Sequence, residues 1–138
     1  MKFIRFSSDP LVRRLRWMVL IVMLMDATIT IIGQPPDFWK DPAAVNEHDP
    51  IVRFFLRRGL LPYIAGGVLY IVGSLCLASI TPRPVGLVIL FYLLFGHFWG
   101  ATSWMVYGFH YGYILINVFQ VSIAILVALA LGKERGSA

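Results

Sequence analysis

The chain is expected to fold as an all-α polytopic membrane protein, a four-transmembrane-helix bundle with a short interfacial helix in its first loop. Three observations predict this class. Of 138 residues, 59% are hydrophobic and only 14% charged, against about 25% charged in soluble domains. The apolar residues gather into four runs, Trp17–Gly33, Leu60–Ile80, Val85–Tyr107 and Tyr113–Leu131. Each is near the roughly 20 residues that a helix needs to cross a bilayer core of about 30 Å. Segments in lipid must also satisfy their own backbone hydrogen bonds, and four strands are too few to close a barrel. The length suits one integral membrane domain over residues 1–138.

The first run follows Lys2, Arg5, Arg13, Arg14 and Arg16, where cytoplasmic anchoring charges belong. The net charge of +5 therefore reads as membrane anchoring. No aromatic-interleaved basic groove follows, so the expected partner is the bilayer and not nucleic acid. A basic start before an apolar stretch also suits a signal peptide. However, Gly33-Gln34-Pro35-Pro36 offers no small-residue cleavage site and Asp26 interrupts the apolar region, so the first span is read as uncleaved.

The connection from Gln34 to Gly59 is the only long one and holds most of the acidic residues. Within it, Asp49-Pro50 reads as a helix start, with Asp as N-cap and Pro at the first helical position. Ile51, Phe54 and Phe55 then share one side, and Gly59 supplies a stop. This segment is either a surface helix or an extension of the second span with Arg57 and Arg58 snorkelling. Thr81-Pro82-Arg83-Pro84 and Gly108–Gly112 are tight turns, so the second, third and fourth spans should be successive antiparallel neighbours. With the N-terminus inside, eight Lys and Arg residues fall on the inner side and four on the outer. That asymmetry predicts a multi-pass protein of the inner (plasma) membrane with both termini cytoplasmic. Cys76, the single cysteine, lies within an apolar run and reads as a packing residue.

Asp26 dominates the functional reading. A carboxylate near the middle of a span costs about 2.5–3.5 kcal/mol on insertion scales, and such residues usually face a bundle interior. His97 in the third span is its natural companion. Counted inward from the outer ends, the two lie at depths of about 10 and 15 Å at 1.5 Å per residue. Met23, Asp26, Thr30 and Gly33 form one stripe of the first span, and Leu93, His97, Gly100 and Trp104 one of the third. Gly96 and Gly100 also make a GxxxG pattern, which lets helices approach closely. The bland reading is an Asp–His or Asp–Thr hydrogen bond that only holds the bundle together. Such bonds average near 0.6 kcal/mol in membranes and hardly offset burying an acid.

Above this pair, Asn46-Glu47-His48-Asp49-Pro50 places two carboxylates and an imidazole in three consecutive residues. Imidazole and carboxylate ligands suit zinc and other divalent metals. Glu47, His48, His97 and Asp26 are thus candidate metal ligands, with Asp26 and His97 also candidate catalytic groups. A solvated acidic loop with a helix cap is the bland alternative, and no HExxH spacing supports the metal. His110, at the outer turn among Tyr107, Tyr111 and Tyr113, reads as an interfacial histidine or a further ligand. Asn117, Gln120 and Ala124 form a polar and small stripe of the fourth span, expected to face the bundle. Spacing argues against haem: His97 and His110 would stand about 20 Å apart along one helix continued that far, and so could not ligate one haem from opposite faces. Ser74 and Ser103 lack an elbow sequence, so a nucleophilic triad is unsupported.

Asp26-Ala27-Thr28-Ile29-Thr30, followed by Glu47-His48-Asp49-Pro50 opening an apolar run, resembles a family of small four-helix prokaryotic membrane proteins of unknown function. Its members show Asp and Thr in the first span and a Glu-x-Asn-Pro-like motif after it, where this chain has Asp49 for Asn. The resemblance covers the first half of the chain and implies a four-helix membrane fold without an activity.

Together the residues point to an outward-facing intramembrane polar site, with a divalent metal as its possible cofactor and a lipid-soluble substrate. Two other classes stand beside it: an accessory or assembly subunit that binds a larger membrane complex or a second copy, and a component of proton- or ion-coupled transport.

Overall fold

A computed structural model of the chain describes residues 9–108, 114 and 116–125. Every regular element among them is helical, with no strand. The helices are α1 (Pro10–Ile32), α2 (Pro50–Leu56), α3 (Leu60–Ile80), α4 (Arg83–Gly108) and α5 (Ile116–Ile125), with two single 3-10 turns between α1 and α2. Three of them, α1, α3 and most of α4, are long and apolar enough to cross a membrane.

Helix α1 begins seven residues before the expected span. The cause is an Asp-Pro start like that at α2: the Asp9 carboxylate accepts the amides of Leu11 and Val12, at 2.8 and 3.1 Å, and Pro10 needs no donor partner. Arg13, Arg14 and Arg16 therefore sit on the helix and not before it. From Leu11 through Val12, Leu15, Val19 and Val22 to Met23, residues at three- and four-residue spacing are buried. This seam packs chiefly against α4, where Leu90, Leu93, Leu94, Ala101 and Met105 are buried.

The Asp9 end of the bundle is tied across the chain. Arg83 Nε donates to Asp9 Oδ2 at 2.6 Å, and Arg16 Nη1 donates to the buried Ser79 hydroxyl at 2.8 Å. Helices α3 and α4 approach most closely beside their turn, where a Cβ on Gly86 would meet the Ala78 carbonyl. Of α3, only Ile71, Ala78 and Ser79 are buried, so away from the turn its sides lie open.

Helix α2 matches the expected start: Asp49 Oδ1 accepts the amides of Ile51 and Val52. It ends before α3 begins, and Gly59 between them takes φ = 107°, a region that favours glycine. It is therefore a separate helix and not an extension of α3. Leu56 is its buried anchor, Phe55 lies against Gly66, and Ile51 and Phe54 remain exposed. The Arg58 guanidinium stacks 3.4 Å above the Phe54 ring.

Helix α5 meets α4 through stacked Phe98 and Phe119 rings, 5.2 Å apart. Its inward residues are Ile116, Phe119 and Ile123, while Asn117, Gln120 and Ala124 are exposed. The expected polar stripe is thus on the wrong side. Aromatic stacking, a packing gain available in any solvent, decides the face.

Candidate functional site

The site forms between α1 and α4. The Asp26 stripe and the His97 stripe interlock as expected, and the ring nitrogen Nδ1 of His97 lies 2.7 Å from Oδ2 of Asp26. With Asp26 ionised, Nδ1–H donates and Nε2 becomes the basic ring nitrogen. Both side chains are mostly buried, with 16% of Asp26 and 23% of His97 exposed.

Glycine makes this approach possible. A Cβ on Gly100 would stand 2.8 and 2.9 Å from the two Asp26 oxygens, so the carboxylate occupies the space a side chain would need. One turn further along, Gly33 of the α1 cap lies against the Trp104 ring in the same way. Tyr63 of α3 adds a hydroxyl that donates to the Ala27 carbonyl at 3.3 Å. The Tyr70 ring stands 5.8 Å from the His97 ring, tilted by 51°.

The pair lies in the wall of a cavity of about 750 Å³. Thr30, Glu47 and Asp49 line it on one side, and Tyr70, Tyr92, Phe95 and Trp99 on another. Tyr92, Phe95 and Trp99 are 74%, 66% and 76% exposed, so the cavity opens on the flank of the described bundle. A neighbouring cavity of about 450 Å³ is lined by Asn46, Glu47, His48, Ser103 and Trp104.

The first connection roofs the site because Gln34 pins it. Buried at 5% exposure, its side-chain Nε2 donates to the Thr30 carbonyl at 3.0 Å, and its Oε1 accepts the Asn46 amide at 2.9 Å. Beyond Asn46, Glu47 Oε1 accepts the amides of His48 and Asp49, and Arg53 Nε donates to the Glu47 carbonyl. The Glu47 and Asp49 carboxylates therefore organise their own backbone while lining the cavity.

Of the four residues expected to act together, Asp26 and His97 meet. Glu47 joins them as a lining residue of the same cavity, and His48, exposed, lines the neighbouring one. Among the described residues no three His, Cys, Asp or Glu side chains gather as a metal centre requires. His110 lies outside the described residues. Ser74 and Ser103 donate to carbonyls of their own helices, and Cys76 is exposed.

The sequence reading missed the aromatic wall and the Gln34 clamp. On α4 the spacing of Tyr92, Phe95 and Trp99, with Trp99 seven residues beyond Tyr92, is the available signal. Gln34 beside two prolines gave none. No protein-family model, curated protein or solved structure matches the chain.

Proposed function

We propose that the chain is a four-span protein of the plasma membrane, with both termini cytoplasmic, and that its Asp26–His97 pair takes up and releases a proton as a lipid-soluble substrate enters and leaves the flanking cavity. The fourth span would be the run Tyr113–Leu131, of which Ile116–Ile125 is an apolar helix. The Lys and Arg asymmetry supports the orientation and turns the Gly33 end outward.

One observation carries the reading: a carboxylate and an imidazole 2.7 Å apart, in the wall of a cavity with exposed aromatic sides. A carboxylate that holds Nδ1–H orients the ring and stabilises the imidazolium formed when Nε2 accepts a proton. Proton exchange needs only this pair, whereas a metal would need a third ligand nearby.

Retention of lipid-soluble compounds tests the proposal. Wild type, Asp26→Asn and His97→Gln are incubated in nanodiscs with total lipid extract, repurified, and their bound small molecules identified by mass spectrometry. Wild type should retain a compound that both variants lose. Equal retention by all three, or none by wild type, would refute the reading.

A further inference from the structure

We infer that the cavity beside Asp26 and His97 binds a lipophilic cation, an ammonium or phosphonium centre carrying apolar groups. The inference rests on the proposed reading and names its substrate class.

The lining chemistry selects the charge. Three carboxylates, Asp26, Glu47 and Asp49, border the cavity, and no Lys or Arg is among its described lining residues. Arg53 stands beside them, its Nε donating to the Glu47 carbonyl, but three carboxylates outnumber it, so an anionic headgroup would meet net like charge there. Tyr70, Tyr92, Phe95 and Trp99 line the cavity with aromatic rings, and aromatic faces attract cations by their quadrupoles, most strongly when the cation is desolvated. The same protein shows that preference at its surface, where Arg58 lies over Phe54.

Size and access fit the same class. About 750 Å³ falls within the range of small-molecule pockets. Gly96 adds open floor, since a Cβ there would meet nothing within 4 Å. The exposed aromatic side suits entry of an apolar body from the membrane, while a charged centre is drawn towards the carboxylates.

Three probes of one shape test this: tetraphenylphosphonium, uncharged tetraphenylsilane and anionic tetraphenylborate. Saturable binding is measured to protein in zwitterionic nanodiscs against protein-free nanodiscs. Tetraphenylphosphonium should bind, roughly tenfold or more weakly to Asp26→Asn, and also more weakly to His97→Gln, which no longer orients that carboxylate. Trp99→Leu, changed at an exposed wall position, should also weaken it, which guards against a folding defect in Asp26→Asn. Saturable binding of the silane or borate with no preference for the phosphonium overturns the cation assignment, and leaves the lipid-soluble substrate reading standing. Absence of binding by all three also overturns the cation assignment, and the lipid-extract experiment decides the broader reading independently.

Discussion

Replacing Gly100 by Ala should loosen the Asp26–His97 pair, and the structure sets the size of the effect. The new Cβ would lie 2.8 and 2.9 Å from the Asp26 oxygens and 3.1 Å from Cγ. Comfortable non-bonded contact begins near 3.5 Å, so the carboxylate must retreat by roughly 0.6 Å. Its bond to His97, now 2.7 Å, would then pass about 3.2 Å, the outer edge of ordinary hydrogen-bond distances. The roughly 0.6 kcal/mol average of membrane hydrogen bonds covers polar side chains in general; a bond to an ionised carboxylate contributes more, about 1.5–3 kcal/mol. Ala gains about 1 kcal/mol over Gly in helix propensity, leaving a net loss of about 0.5–2 kcal/mol. Gly96→Ala is the control, with the same helix and open space around the new methyl; it should be neutral or stabilising. Thermal unfolding in one detergent compares the two, and repeating Gly100→Ala on an Asp26→Ala background isolates the contact. There the penalty should vanish. A Gly100→Ala protein as stable as Gly96→Ala, or a penalty that persists without the carboxylate, would refute the reasoning.

Two further perturbations probe the ends of the bundle. Gln34→Ala removes the partner of the Asn46 amide, a part-buried bond worth about 0.5–1.5 kcal/mol, and should speed amide exchange over residues 34–49; unchanged protection would remove Gln34 as the clamp. Asp9→Ala should cost about 1 kcal/mol through the lost cap, with little added by Arg83, which is 55% exposed. Burial pushes the Asp9 carboxyl up, but the Val12 amide, Arg83 and the Leu11 amide outweigh it and hold it below the ordinary carboxylate range. A depressed folded value means the cap contributes fully above the unfolded pKa near 3.9 and fades as the pH falls through the lower, folded one. The stability gap between wild type and Asp9→Ala should therefore close on acidification, and a constant gap would contradict this account.

Much of the fold was legible because hydropathy and caps act locally. The bounds of α3 match the second apolar run residue for residue, and Asp49-Pro50 marks the start of α2. The start of α1 carried the same signal at Asp9-Pro10, but Arg13, Arg14 and Arg16 were counted as charges ahead of a span. Arginines within a helix's first turns, at the membrane edge, satisfy the same electrostatic preference. The pairing of Asp26 with His97 followed from depth and stripe, two quantities a helix's rise and twist determine. The face of α5 did not follow, because a polar stripe competes with an aromatic contact whose partner, Phe98, no local pattern reveals. The aromatic wall and the Gln34 clamp are tertiary: each gains meaning only once α3, α4 and the first connection are in place.

Chain order gives the Asp26–His97 pair one more consequence, during synthesis. The two residues stand 71 positions apart, about 4–14 s of translation at roughly 5–20 residues per second. On the proposed four-span reading, α1 would enter the bilayer in that interval with its acid and without the imidazole that will meet it. The insertion machinery would then handle Asp26 on the apolar character of α1 alone. A further polar substitution in α1 should therefore be felt as failed insertion, before the folded pair has a chance to form.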